Sequence, residues 1–140
     1  MDEIKIGVAG YSAQKFDTSE AIKILKEAYN IIAGQFAGKS IVVISGLTDI
    51  GIPALAYREA VLRGWRTVGL ACALAKDYAC FPVDEEIIMG KEWGDESPHF
   101  LEIIDVLVRV GGGKQSLKEA AQFKKNGHQV LEYNLPALQK

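Results

Sequence analysis

Apolar residues fall along the chain in two rhythms. Short unbroken runs, "IKIGVAG" (Ile4–Gly10), "SIVVISG" (Ser40–Gly46), "RTVGLA" (Arg66–Ala71) and "DVLVRV" (Asp105–Val110), are rich in β-branched residues and of strand length. Such runs predict strands buried on both faces. Between them the spacing changes to three and four. In "TSEAIKILKEAYNIIAGQFAG", Ala21, Ile24, Leu25, Ala28, Ile31 and Ile32 recur at helical intervals, and Thr18 or Ser19 is placed to cap the start. "PALAYREAVLRG" (Pro53–Gly64) predicts a second helix, with Pro53 in its first turn and Gly64 as its stop. "SPHFLEII" (Ser97–Ile104) opens a third, with Ser97 as cap and Pro98 first in the helix. A fourth follows three glycines and ends near Asn126–Gly127. "EEIIMG" (Glu85–Gly90) and "HQVLEY" (His128–Tyr133) predict two further strands, "CALAKDYACF" (Cys72–Phe81) reads as a short helix or a loop, and the tail after Pro136 is expected to fray.

Strands alternate with helices from end to end. That order predicts an α/β, Rossmann-like fold: a mainly parallel sheet with helices on both faces, each helix a right-handed crossover. No repeat, linker or low-complexity stretch interrupts it, so residues 1–140 read as one domain. In such sheets ligands bind beyond the carboxyl ends of the strands, near the point where strand order reverses.

Composition narrows the function classes. With 49% hydrophobic residues the chain is expected to bury a core, and a net charge of -2 argues against a general nucleic-acid binder. "MDEIKIGVAG" has no basic leader, and no apolar run is long enough to span a bilayer, so a cytoplasmic protein without membrane attachment is expected. Cys72 and Cys80 form no CxxC pair and read as reduced thiols. No metal site is expected, because only His99 and His128 could assist and neither has ligand spacing. The acidic run "VDEEIIMGKEWGDE" reads as solvated surface, with Trp93 packed or, less simply, stacked on a ligand base. Lys114, Lys118, Lys124 and Lys125 read as a solvated helix face, and Tyr57 and Trp65 as packing residues.

The candidate chemistry lies in three turns that follow strands: "GVAGYSAQ", "ISGLTDIGIP" and "VGGGKQS". Glycine lets backbone approach a ligand closely, and the helix that follows offers free N–H groups and the positive end of its dipole. Together these suit a phosphate. The spacing is not that of a Walker A loop, and "GVAGYS" lacks the G-x-G-x-x-G of dinucleotide binders. Candidate binding residues are Gly10 and Ser12 in the first turn, Ser45, Gly46 and Gly51 in the second, and Gly111, Gly112, Gly113, Gln115 and Ser116 in the third. Ser116 and Glu119 also have the spacing of a capping box, which gives Glu119 a structural reading beside a catalytic one.

"VGGGKQSLKEA" is similar to the GGxGTxxE motif of the Lonely Guy family, once described as lysine decarboxylase-like. "ISGLTDIGIPALAYREA" and "GVAGYS" resemble that family's earlier turns, in the same order. The resemblance runs from Lys5 to Tyr133 and extends to the wider SLOG superfamily, which includes proposed molybdenum cofactor carrier proteins and DNA-processing protein A. It implies a modified Rossmann sheet that binds a nucleotide or nucleotide-like ligand, commonly as a homodimer. Lonely Guy enzymes hydrolyse the N-glycosidic bond of a nucleoside 5′-monophosphate. Carried over, Gly112 and Gly113 match the paired glycines, Ser116 the phosphate-holding threonine and Glu119 the catalytic glutamate.

Three departures bear on the activity. Gln115 stands where the motif has a third glycine. Asp49 brings a carboxylate to the middle turn. "GDESPHF" holds no counterpart of the family's arginine, although His99 could act there as an acid and Arg58 is a candidate replacement cation. The reading that results is a binder of a small phosphorylated ligand of nucleotide type, acting as a sensor or carrier, with no cofactor assigned. The alternatives are a nucleoside-monophosphate phosphoribohydrolase with Glu119 as its catalytic carboxylate and, against the charge balance, a DNA-associated protein.

Overall fold

A computed structural model describes residues 2–138. These residues form six strands: β1 (Glu3–Gly10), β2 (Ser40–Ser45), β3 (Arg66–Ala71), β4 (Glu85–Ile88), β5 (Val106–Val110) and β6 (Gln129–Tyr133). Four α-helices accompany them: α1 (Thr18–Gln35), α2 (Gly51–Leu62), α3 (Ser97–Ile103) and α4 (Lys114–Lys125). Every strand pair is parallel, in the order β4-β3-β2-β1-β5-β6. The chain winds outward from β1 to β4, then crosses to the other side of β1 for β5 and β6. The reversal therefore falls between β1 and β5, which pair from Ile6↔Val106 to Gly10↔Val110.

The apolar runs are continuous because the sheet is covered on both sides. On one face Ile4, Ile6 and Val8 of β1 pack with Ile41, Val43, Val106 and Val108 against α1 and α2. On the other, Ala9, Val42, Ile44, Val68 and Leu107 pack against Phe100 and Ile104 around α3 and Ala120 and Phe123 of α4. The two-residue alternation of a strand assigns each side chain to one layer or the other.

Local details refine the sequence reading. Asp17, not Thr18 or Ser19, caps α1, its Oδ1 accepting the Glu20 N–H at 3.0 Å. The cap position of α3 is Glu96, so Ser97 is already helical and Pro98 lies one residue further in. Cys72–Phe81 contains a 3-10 turn over Ala73–Asp77. Ala137 and Leu138, expected to fray, are held: Ala137 bridges Phe16, and the Leu138 N–H donates to the Lys15 carbonyl at 2.8 Å, while the rest of the tail lies outside the described residues.

Tyr57 of α2 ties two strands together from inside the core. It is fully buried. Its hydroxyl accepts the Ser45 N–H at 2.9 Å and lies 2.8 Å from the Gly46 carbonyl and 2.9 Å from that of Val68. One proton serves two carbonyls, so it donates to either in turn, and burial raises its pKa far above the ordinary tyrosine value. Tyr57→Phe leaves the Ser45 N–H without a partner at the end of β2. An unmade buried bond of this kind costs about 1–3 kcal/mol. Urea unfolding should show that loss as a lower midpoint with an unchanged slope.

Candidate functional site

The reversal point opens into a cleft of about 620 Å³ at the carboxyl ends of β1, β2 and β5. Its walls include Gly10, Ser12, Ser45, Gly46, Gly112, Gly113, Gln115, Ser116 and Glu119, all anticipated from the three turns. Thr48, Trp93, Glu96, Phe100, Lys114 and Ala137 complete much of the remainder.

The turn between β5 and α4 forms the donor side. Gly112 has φ +100°, a region that favours glycine, and a Cβ there would meet the Ser116 Cβ at 2.5 Å and Oγ at 2.6 Å. Gly113 is the cap residue of α4, and no side chain bonds to the helix start. The N–H groups of Gly113, Lys114, Gln115 and Ser116 have no partner among the described residues. An open helix start is a site of partial positive charge aimed at whatever fills the space before it. The Ser116 hydroxyl lies beneath it, mostly buried and without a hydrogen bond among the described residues.

Glu119 lies one helical turn further along. The capping-box reading of Ser116 and Glu119 does not hold, because the glycines let α4 begin at Lys114 and both residues fall inside the helix. Glu119 turns instead toward α3, where its Oε2 accepts the Ser97 hydroxyl at 2.6 Å and the Gln115 side-chain amide at 3.4 Å. Burial raises the carboxyl above its ordinary pKa of 4.5, against the lowering effect of those two bonds, and the nearby Glu96 raises it further.

Two anticipated residues lie off this lining. Gly111 is packed against the Tyr11 ring and the Leu135 carbonyl, where a Cβ would meet them at 2.6 and 2.7 Å. Gly51 lies under the carbonyls of Tyr11 and Ser12 and borders a smaller neighbouring hollow of about 390 Å³. Asp49 and Arg58 line that second hollow and pair at 3.5 Å, so the carboxylate is directed away from the glycine edge. His99 pairs with Glu102 at 3.7 Å and is not part of the cleft wall. The Ser45 hydroxyl donates to the Val8 carbonyl at 2.6 Å, which leaves its oxygen able only to accept.

Arg109 was not anticipated. It is 5% exposed on β5, and its guanidinium donates to Glu132 at 2.8 Å, to Asn134 at 2.9 Å and to the Gly111 carbonyl at 2.8 Å. It braces the glycine turn from behind. The available signal was a charge inside an apolar run; its partner across the strand pair, Glu132, comes much later in the chain.

No known family's sequence profile matches this chain, and no curated protein matches it in sequence. Solved structures do match in fold. The molybdenum cofactor binding protein from the phototrophic bacterium Rippkaea orientalis is 24% identical, with 96% of this chain and 78% of that chain covered at a TM-score of 0.77. The molybdenum cofactor carrier protein from Chlamydomonas reinhardtii is 26% identical, with 93% and 75% covered at 0.68. TM1055 is 24% identical, with 91% and 72% covered at 0.70. The chain thus shares the all-parallel, Rossmann-like fold of these structures, molybdenum cofactor carriers among them.

The raised carboxyl of Glu119 makes a prediction about pH. Below its ordinary pKa the group is neutral whether the chain is folded or not. As pH rises from 4.5 through the raised folded value, the unfolded chain ionises first and stability falls. Glu119→Gln removes that loss. The variant is expected to melt a few degrees above the parent at pH 8 and level with it at pH 4, in thermal scans at constant ionic strength.

Proposed function

We propose that this protein binds a small phosphorylated ligand of nucleotide type in the cleft between β1 and β5, and holds it as a carrier or sensor. The observation that carries this reading is the open N-terminus of α4 above an unpartnered Ser116 hydroxyl, at the reversal point of a parallel sheet. A phosphate placed there would accept N–H bonds from Gly113 to Ser116 and the hydroxyl of Ser116. The cleft has room for an attached ring system.

Likeness to molybdenum cofactor carriers supports the carrying role. The chain supplies no thiolate to the cleft wall, and its described residues include no cluster of metal-ligating side chains. Any metal would therefore be held by the ligand's own atoms. Lys114 is the one cationic side chain on the described cleft wall, and it is exposed. That arrangement favours holding a ligand over cleaving a glycosidic bond, which needs charge stabilisation at the reacting centre. A cytoplasmic homodimer belongs to the same reading and is checked by the mass of the protein in solution. No helix among the described residues is long and apolar enough to cross a membrane.

A thermal-shift panel of nucleoside mono-, di- and triphosphates, ADP-ribose, cyclic nucleotides and phosphorylated pterins tests the reading. A ligand at one hundred times its dissociation constant should add about 2.7 kcal/mol of stability. Ser116→Ala should weaken that ligand by about tenfold, the worth of one hydrogen bond to a charged group, without lowering the melting point of the free protein. Release of free base during incubation would replace the carrier reading with the hydrolase one. No shift from any compound would overturn both.

A further inference from the structure

The cleft has a second side of opposite character. Where the start of α4 offers donors, the wall formed by Glu96, Glu119 and Trp93 offers acceptors and a flat ring. Glu119 is only 7% exposed and has no ion pair with any described residue. Its Oε2 holds Ser97 and Gln115, whereas its Oε1 has no partner among the described residues. No fully buried side-chain nitrogen or oxygen among them lacks a hydrogen bond, so that oxygen keeps some exposure, on a residue that lines the cleft. A carboxylate held out of water without a cation is costly, and a ligand bearing donors would relieve the cost.

Gln115 indicates which kind of donor fits. Its side-chain NH2 lies 3.4 Å from Glu119 Oε2 and 3.4 Å from Glu96 Oε2, so one amino group sits between two carboxylates on long bonds. The Ser97 hydroxyl, at 2.6 Å, keeps Glu119 in place whether Gln115 stays or moves. The other Glu96 oxygen accepts the Gly94 N–H at 3.2 Å, which fixes the second carboxylate. Trp93, 53% exposed on the same wall, touches Tyr78 with ring centroids 6.0 Å apart and leaves much of its indole open.

We propose that this wall selects ligands whose heterocycle carries a ring N–H beside an exocyclic amino group, as guanine and pterin do, with the amino group taken between Glu96 and Glu119 and the ring set against Trp93. The inference rests on the phosphate-binding reading of the same cleft. A carboxylate facing adjacent N–H donors is a strong and directional match, and a partner lacking one donor leaves a buried acceptor unpaired.

The test compares ligands that differ at the position of that amino group. GMP is set against IMP, and a phosphorylated pterin against its 2-oxo lumazine analogue, by calorimetry on the full chain at fixed salt. The amino-bearing member of a pair is expected to bind at least about tenfold more tightly, the worth of one bond to a charged group. Which pair shows the preference identifies the ring system. Glu119→Gln should reduce the preference toward unity. Glu96→Gln, at a half-exposed position, provides the same reading should the first variant fold poorly. Equal affinities within both pairs, or preference for the deamino forms, would overturn this inference and leave the phosphate site standing. Failure of all four compounds, with another phosphorylated ligand bound, would do the same. Failure of every phosphorylated compound would overturn both readings.

Discussion

The cleft depends on how closely backbone passes backbone where β1 and β5 end. A Cβ at Gly10 would meet the Val110 carbonyl at 2.6 Å and Ile52 at 2.7 Å. Without a side chain there, the end of β1, the start of α2 and the turn into α4 share one small volume. Everything at the carboxyl edge follows from that contact. α4 starts close to the sheet, its open N–H groups face inward, and Ser116 and Glu119 fall on the wall of the space instead of on the solvent side. Arg109 adds a second restraint by drawing the Gly111 carbonyl back toward β6. The edge is built twice over, by what is missing at Gly10 and by what reaches across at Arg109.

Most of the fold was legible because a sheet covered on both sides writes itself as unbroken apolar runs, and its crossovers as three-and-four spacing. The glycine turns were legible for a similar reason: the constraint is local, and glycine marks it. What stayed hidden was what depends on partners distant in the chain. Arg109 looked like one charge in a strand because Glu132 and Asn134 come much later. Ser116 and Glu119 share a spacing that serves equally for a cap and for one face of a helix. Only the position of the helix start, set by the glycines before it, separates the two. Trp93 stood in an acidic run that reads as solvent-facing, and nothing nearby shows that this segment folds back over the cleft.

The cleft combines two chemistries within one space. Its donor side is backbone, fixed in place and independent of pH. Its acceptor side is carboxylate, and at Glu119 burial raises the proton affinity. The first favours anions of many kinds. In the proposed role, the second would discriminate among what is attached to them. A protein that carries a ligand needs the first for retention and the second to refuse similar compounds present at higher concentration.

The segment from Leu135 to Leu138 joins the loop after β1. The Tyr11 hydroxyl donates to the Leu135 carbonyl across 124 positions of sequence, and Ala137, beside Phe16, forms part of the cleft wall. One side of the cleft therefore comes from the start of the domain and the other side is closed by residues made after its last strand. During synthesis the sheet can assemble strand by strand, but this wall cannot exist until that final segment has left the ribosome. In the proposed role, ligand capture would thus await a chain whose sheet is already complete.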